Sequence, residues 1–239
     1  TDYKDFPGGF LALEGAGSPT NLAMRAIRIT MLDEIDKYEE TKEGDPVRLA
    51  EERTATFRLH GRLMMRTCSP TWTETSRIYK SWLESDQRRP FIACPHCGYE
   101  QSPTFFKHVH WEKDAVGNHH TATACLRCEN CGEAWTEAQR LAQISTEGGI
   151  KWRQTAPFDC CGERQEPLTE RRWKWDKVNQ VGRAVCKHCG TRAVPNVHAG
   201  YTASKLFSPQ MTIPALAADW IASKGDNSTK QTFYNTQLG

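Results

Sequence analysis

The sequence has no run of apolar residues that could cross a membrane. A membrane helix needs about 18 or more such residues in succession, and no stretch of the 239 residues approaches that length. Its first residues also lack the basic and then apolar layout of a secretory signal peptide. These absences predict a protein without a membrane anchor and argue against disulfide bonds as its default cross-links.

Excess charge of either sign is also missing. The 31 Lys and Arg residues nearly cancel the 29 Asp and Glu residues, which leaves a formal net charge of +2. A chain so close to neutral has no general affinity for polyanions, so any contact with nucleic acid has to come from a local patch.

What the sequence does have is ten cysteines, nine of them between residues 94 and 189. Cys94-Pro-His-Cys97-Gly98 and Cys128-Glu-Asn-Cys131-Gly132 are typical metal knuckles, in which a tight turn presents two thiolates. Two such knuckles complete a tetrahedral site, so a structural zinc ion is predicted at these four cysteines. An all-thiolate site is closed to water, so it stabilises the fold and does not catalyse.

A second zinc site is also predicted, although the spacing of its ligands is less regular. Cys186 and Cys189 form a clean knuckle, but Cys160 and Cys161 are adjacent rather than spaced. Cys125 competes as a ligand through Cys125-Leu-Arg-Cys128, and Cys125, Cys160 or Cys161 could equally be a free thiol. The histidines inside the knuckles, His96 and His188, are interpreted as turn-filling residues.

Strand and helix signals alternate before the cysteine-rich region and favour an α/β fold with a parallel sheet. Asp45-Pro46 is a helix start, and Pro214 and Gly225 bracket another helix. The predicted strands are 10–13, 27–32 and 63–67, and the predicted helices are 46–57, 74–83, 215–224 and 229–238.

The second of these strands ends in Asp33-Glu34, the Walker B arrangement of P-loop nucleoside triphosphatases. There the first acid positions Mg²⁺ on the nucleotide phosphates, and the next can take a proton from water. An ordinary strand end or helix cap gives the same pattern. No Gly-x-x-x-x-Gly-Lys-Ser/Thr loop occurs, and there is no Gly-Lys dipeptide. A phosphate-binding loop is therefore expected upstream of this sequence.

The ordered set of short motifs resembles the large subunit of lambda-type tailed-phage terminases, over nearly the whole chain and most weakly between about 133 and 195. The matching segments are Phe6–Gly9, Gly15–Pro19, Leu32–Asp36, Glu43–Pro46, Cys68–Thr71, Ser85-Asp86, Cys94–Gly98, Leu206–Pro209 and Thr232–Gly239.

The resemblance implies the middle portion of a DNA-packaging motor that also carries a nuclease. The expected fold is α/β, a partial RecA-like P-loop ATPase core without Walker A and with an inserted zinc-ribbon region. Residues 1–92 would complete the ATPase core, 93–198 would form the zinc-ribbon insertion, and 199–239 would lead toward a nuclease domain outside this sequence. Such a fragment alone should hydrolyse ATP negligibly.

The resemblance also implies site residues. Asp33 would position Mg²⁺ on ATP, and Glu34 would be the catalytic base. Ser69, with Thr67, would sense the γ-phosphate, although a turn residue before Pro70 explains Ser69 equally well. Arg25 would be a phosphate sensor or a finger acting on a neighbouring subunit, against the plainer interpretation of a surface arginine.

The implied partners are double-stranded DNA, the terminase small subunit and the portal of the procapsid, with a homo-oligomeric ring during packaging, no membrane, and the host cytoplasm as the location. Basic and aromatic residues around the later knuckles suit contact with nucleic acid, although a solvated face explains them too. They are Arg171, Arg172, Trp173, Lys174, Trp175, Lys177, Arg183, Lys187 and Arg192.

Two other functions remain open. A non-enzymatic zinc ribbon could bind nucleic acid, and a zinc-stapled scaffold could bind proteins. The α/β segment ahead of the knuckles favours the motor, because a lone ribbon needs no such segment.

Overall fold

The computed structural model of the chain describes residues 2–18, 20, 25–194 and 196–238. Pro19 and Gly239, the last residues of two motifs named above, lie outside the described residues. The chain divides into two compact units, unit 1 (residues 1–79) and unit 2 (residues 80–239). The functional limits predicted after residues 92 and 198 stay predictions, because compactness alone does not assign a function.

Unit 1 pairs its described strands two by two. The first pair is an antiparallel hairpin, and the second is parallel, with Asp33 opposite Thr67 where the two strands end. The strands are β1 (Asp2–Phe6), β2 (Gly9–Leu13), β3 (Ile29–Asp33) and β4 (Leu63–Thr67). A parallel strand pair within a mixed α/β fold is thereby confirmed.

The helices of unit 1 start where side chains cap them. Asp45 accepts a hydrogen bond from the Val47 N–H at 3.1 Å and is followed by Pro46, so α1 (Pro46–Glu52) begins where predicted. It ends five residues early, because the Thr54 hydroxyl donates to the Glu51 carbonyl at 2.7 Å and a 3₁₀ turn (Ala55–Phe57) follows. Helix α2 (Arg77–Leu83) crosses into unit 2.

The core of unit 1 is small. Leu32 of β3 packs with Ile35, Val47 and Ala50, and Tyr38, Cys68 and Ile78 cover this cluster. The outer face of the parallel pair stays exposed, with Met31 71% accessible. The apolar contacts of unit 1 therefore lie on the helix side of β3 and β4.

Unit 2 is built on a mixed five-stranded sheet in the order β13-β14-β10-β5-β6, in which only β10 and β14 run parallel. A three-stranded antiparallel sheet (β7-β8-β9) and a hairpin (β11-β12) complete its described strands. They are β5 (Arg88–Ala93), β6 (Glu100–Gln101), β7 (Val109–Lys113), β8 (His119–Arg127), β9 (Ala134–Trp135), β10 (Lys151–Gln154), β11 (Phe158–Cys160), β12 (Glu163–Gln165), β13 (Trp173–Asp176) and β14 (Val181–Ala184).

The helices of unit 2 are short, and no helix among the described residues has both the length and the apolar character needed to span a membrane. Thr136 and Gln139 form a capping box at the longest helix before the final segment. The helices are α3 (Phe105–His108), α4 (Glu137–Ser145), α5 (Pro167–Glu170), α6 (Ile213–Ser223) and α7 (Asn227–Phe233), with a π turn (Tyr234–Leu238) at the end.

The final helices belong to the main core of unit 2. Leu216 and Ala217 of α6 and Phe233 of α7 are buried against Leu126 of β8 and Phe105 of α3. The ring centroids of Phe105 and Phe233 lie 5.4 Å apart in an edge-on arrangement. This part of the chain therefore packs on the first pair of knuckles, whose Cys94 and Cys128 are also core residues.

Asp86, which is 4% exposed, joins the start of β5 to two distant segments of unit 2. Its carboxylate accepts hydrogen bonds from Arg88 Nε at 2.8 Å, Gln154 Nε2 at 2.9 Å and the Gly200 N–H at 3.2 Å. A buried carboxylate is stable only when it is paired and hydrogen-bonded in this way. The Ser85-Asp86 motif therefore has a structural role in holding β5 against β10.

Arg140, 1% exposed, is the largest fully buried side chain among the described residues. It forms an ion pair with Glu137 and donates to the carbonyls of Leu206 and Met211, both at 2.7 Å, and of Ser208 at 3.2 Å. These bonds fix the segment before α6 onto α4.

We expect Arg140→Ala to lower the free energy of unfolding by about 3 kcal/mol, because three carbonyls around its buried guanidinium lose their donor. Urea unfolding followed by circular dichroism measures the change. Arg164→Ala, which removes an exposed ion pair with Glu166, is the control and should cost less than about 1 kcal/mol. Equal effects of the two substitutions would contradict the assigned role.

Candidate functional site

The first four-cysteine cluster joins the knuckle after β5 to the knuckle after β8. The Sγ atoms of Cys94 and Cys131 lie 3.8 Å apart, and those of Cys97 and Cys128 lie 3.7 Å apart. A tetrahedral zinc ion with Zn–S bonds of about 2.3 Å requires sulfur atoms about 3.8 Å apart. A disulfide would need about 2.05 Å, so this spacing fits metal ligation.

Three knuckles share one backbone plan. Cys94, Cys128 and Cys186 each receive a bond at their carbonyl from the glycine four residues on, at 2.9–3.0 Å, and each donates its own N–H to the residue five on. The reversal needs a left-handed residue, which Gly98 (φ 72°), Gly132 (φ 76°) and Gly190 (φ 68°) supply. This local turn explains why Cys-x-x-Cys-Gly could be recognised in the sequence.

In the second cluster, a tight hairpin turn explains how two adjacent cysteines can both face the same group of thiols. Cys160 ends β11 and pairs with Glu163 of β12, so Cys161 and Gly162 form a two-residue hairpin turn. Both have left-handed backbones, with φ of 55° and 75°, as a type I′ turn demands. The turn presents both thiols toward Cys186 and Cys189, and Cys160 Sγ lies 3.6 Å from Cys189 Sγ.

All eight predicted metal ligands are therefore gathered in two groups. Within each group the ligand atoms lie within 4.8 Å of one another. Cys125 belongs to neither group. His96 Nε2 lies 3.3 Å from the Ala134 carbonyl, and His188 Nε2 lies 3.1 Å from a Glu163 carboxylate oxygen. Both histidines are thus engaged with other groups and stand outside the four-sulfur sets.

Within each group, hydrogen bonds lower the pKa of one thiol and raise the pKa of another. The backbone N–H of Tyr99 lowers the pKa of Cys97 to about 6, and the hydroxyl and N–H of Thr191 lower the pKa of Cys189 to about 6. Hydrogen bonds with the Cys189 and Cys186 sulfurs raise the pKa of Cys160 to about 12. A metal ion that binds these groups must therefore displace protons from the remaining thiols.

Buried glutamines that sequence reasoning missed support both clusters. Gln101 and Gln165 each stand four residues after a knuckle cysteine, and both are 0% exposed. Gln101 Oε1 accepts the Glu129 N–H, and Gln165 Oε1 accepts the Lys187 N–H, both at 2.9 Å. Each side chain thereby holds the opposite knuckle. The signal available in the sequence was that Gln101 and Gln165 stand at the same distance, four residues, from Cys97 and Cys161.

The acidic strand end lies in unit 1. Asp33 and Thr67 face each other across the parallel pair, and the Thr67 hydroxyl donates to Asp33 Oδ1. Ser69 follows Thr67 at the same end of β4 and is exposed. The structure therefore brings three predicted site residues to the carboxyl edge of this sheet.

Glu34 follows directly in a left-handed conformation (φ 56°), which ends the strand. Its carboxylate lies 2.8 Å from Lys37 Nζ, and this contact raises the pKa of Lys37. Arg25 is elsewhere, with its guanidinium 4.6 Å from the Tyr3 ring centroid of the hairpin. Among the described contacts, none joins Arg25 to the acidic strand end.

Asp36 ends the Leu32–Asp36 motif, but the sequence did not assign it a role. It accepts hydrogen bonds from the N–H and hydroxyl of Thr71, both at 3.0 Å, and from the Ile78 N–H at 2.9 Å. Burial acts to raise the pKa of Asp36, but hydrogen bonds from Ser76, Ile78 and Thr71 outweigh it and lower the pKa. Asp36 thereby fixes the loop that follows β4.

Comparison with known proteins identifies the family to which these features belong. Residues 1–152 match the family model described as "Phage terminase large subunit gpA, ATPase domain". The chain is also similar to the terminase large subunit of Escherichia phage lambda, with 25% identity over 97% of this chain. It spans about a third (32%) of that relative's length. No solved structure matches the chain. Since the family model covers more than half of the sequence, the chain belongs to the phage terminase large-subunit family.

Proposed function

We propose that this chain is part of an ATP-driven motor that packages viral DNA, in which unit 1 contributes to a RecA-like ATPase core. One observation carries the proposal. Asp33, Glu34 and Thr67 stand together at the carboxyl edge of a parallel strand pair, inside the segment that matches the terminase ATPase domain. Ligands of open α/β sheets bind at this edge.

The donor set suits a nucleotide with its metal ion. Bound Mg²⁺ would neutralise charge on the ATP phosphates. The exposed Asp33 carboxylate is the hard oxygen ligand that Mg²⁺ prefers, and Thr67 holds its orientation. Glu34, the next residue, can accept the proton of an attacking water once its carboxylate leaves Lys37.

The loop after β4 connects this edge to helix α2. Thr67, at one end of the loop, bonds to Asp33, and Thr71, at the other end, bonds to Asp36, which also caps the Ile78 N–H. A change in phosphate occupancy near Asp33 can therefore move the loop that carries Ser69. This is the proposed coupling segment. Arg25 is proposed as a further phosphate-sensing residue.

We propose that each four-cysteine cluster holds one structural zinc ion. Four thiolates at tetrahedral spacing leave no open position, so the ions brace the fold. The family match runs through the first cluster to residue 152, which supports a braced insertion (93–198) in the motor rather than a separate ribbon module. Residues 1–92 would then complete the ATPase core, and 199–239 would lead toward a nuclease domain.

The complete motor is proposed to act in the host cytoplasm on double-stranded DNA. Its other proposed partners are the small subunit, the portal of the procapsid, and copies of itself in a ring. This chain alone should hydrolyse ATP negligibly, because its sequence contains no Gly-Lys phosphate loop.

In the full-length terminase subunit, Glu34→Gln should lower kcat for ATP hydrolysis at least about 100-fold, since the general base is lost. ATP affinity should change little, because Asp33 and Thr67 stay in place. Steady-state hydrolysis and nucleotide titration measure the two quantities. Glu40→Gln, at an exposed acid six residues on, is the matched control. Undiminished turnover in Glu34→Gln would remove Glu34 from the mechanism.

Elemental analysis of the purified chain should find about two zinc ions per molecule, one for each cluster. Cys94→Ala should reduce this content to about one, because three thiolates no longer close the tetrahedral site. Cys125→Ala, which changes a cysteine outside both clusters, should leave the content unchanged. Zinc lost from Cys125→Ala, or no zinc in the unaltered chain, would refute the ligand assignment.

A further inference from the structure

The two cysteine clusters are built on one plan. We call residues 94–101 with 128–135 the first lobe, and residues 160–165 with 186–193 the second lobe. In each lobe a buried glutamine accepts the N–H of the residue after the third cysteine, Glu129 in one and Lys187 in the other. Positions in the two lobes can therefore be matched by their hydrogen bonds.

Matched positions differ in charge. Glu129 of the first lobe corresponds to Lys187 of the second. Glu133, whose carbonyl accepts the Cys128 N–H, corresponds to Thr191, whose carbonyl accepts the Cys186 N–H. The next residues are Ala134 and Arg192. The backbone plan is kept while acidic side chains give way to neutral and basic ones, so the metal centre does not itself require a basic surrounding.

Cations also gather on the hairpin beside the second lobe. Lys174 of β13 lies directly opposite Arg183 of β14, and Arg172 precedes β13. The only described hydrogen bonds of these side chains go to backbone carbonyls: Arg172 to Lys187 at 3.4 Å, Lys174 to Gly190 at 3.2 Å and Arg183 to Ala193 at 2.7 Å. None of the three forms an ion pair among the described residues, whereas Lys187 and Arg171 do.

Arg172, Lys174 and Lys187 line an open groove of about 490 Å³ against the last knuckle. Like charges opposite each other in a sheet destabilise it, and a bound polyanion would offset that cost. Asp176, the acid on the same hairpin, accepts bonds from the Val178 and Asn179 N–H groups and from Asn179 Nδ2. It is committed to the turn beyond the groove.

Trp173 also lines the groove, but its ring is already packed within unit 2. Its indole N–H donates to the Gln154 carbonyl at 2.7 Å, and its ring lies 5.2 Å from that of Phe91. Trp175 of the same strand is 41% exposed but is not among the residues that line the groove. The groove therefore offers charge rather than an aromatic platform, which suits the regular phosphate backbone of a duplex better than unstacked bases.

We propose that the groove between β13 and the last knuckle binds backbone phosphates of duplex DNA. Its contacts would be Arg172 and Lys174, the two lining cations that form no ion pair with a described residue. The identity of the polyanion rests on the packaging function proposed above. The contact is independent of sequence, because phosphate groups carry no base information.

The test compares two charge-matched double variants of the chain. Arg172→Gln/Lys174→Gln removes two charges from the groove while keeping an amide donor for each carbonyl. Lys113→Gln/Arg127→Gln removes two exposed charges from β7 and β8. Fluorescence anisotropy with a labelled 30-base-pair duplex, between 50 and 200 mM salt and without ATP, gives affinity and salt dependence.

We expect the groove variant to bind at least about tenfold more weakly and to lower the slope of log K against log salt by about 2, since each phosphate contact contributes about 0.9. The control should stay within about twofold of the unaltered chain. Equal losses in both variants, or an unchanged slope in the groove variant, would overturn the proposal.

Zinc content and melting temperature confirm that the groove variant is folded. Should the double variant lose zinc, the single variant Lys174→Gln decides, because the one described hydrogen bond of that exposed side chain goes to the Gly190 carbonyl. The slope of log K against log salt should then fall by about 1. An unaltered chain without salt-dependent DNA binding would also refute the groove. ATP hydrolysis in the full-length subunit, with and without Glu34→Gln, tests the motor function separately.

Discussion

Tetrahedral closure of four thiolates is the constraint on which unit 2 depends. Cys94 and Cys128 are proposed metal ligands and also core residues, so the geometry that suits a metal ion also sets the packing of Phe105, Leu126 and the final helices. A core assembled from such short strands and helices gains from cross-links that shorten its loops. Buried Gln101 and Gln165 then hold each knuckle to its partner.

Features encoded by neighbouring residues were predictable. The Asp45-Pro46 helix start and the knuckle turns each depend on a few adjacent side chains. The parallel pairing of the strands that end at Asp33 and Thr67 followed from the alternation of strand and helix signals. The resemblance to terminases followed from the order of such short signals, and family membership is confirmed. The roles of Asp33, Glu34, Ser69, Thr67 and Arg25 remain proposals.

Polar contacts between distant segments were not predictable. In the sequence Asp36 and Asp86 are members of short motifs with no assigned role, and Arg140 is an ordinary charged residue. Each nevertheless has partners between 35 and 114 positions away. Burial and hydrogen bonding decide their roles, and both emerge only from the folded chain. The adjacent Cys160 and Cys161 can both face Cys186 and Cys189 because a two-residue hairpin turn places their thiols on one side. The sequence alone does not show that turn.

The left-handed backbone of Cys161 would give the two proposed metal centres unequal durability. In the first lobe glycines occupy the left-handed knuckle positions, whereas here a residue with a Cβ holds φ at 55°, a conformation that costs on the order of 1 kcal/mol. Unravelling this hairpin relieves that cost and so competes with metal retention. If both clusters hold zinc as proposed, the second lobe would release its ion ahead of the first, and the cross-link at the hydrophobic core would outlast the one at the hairpin.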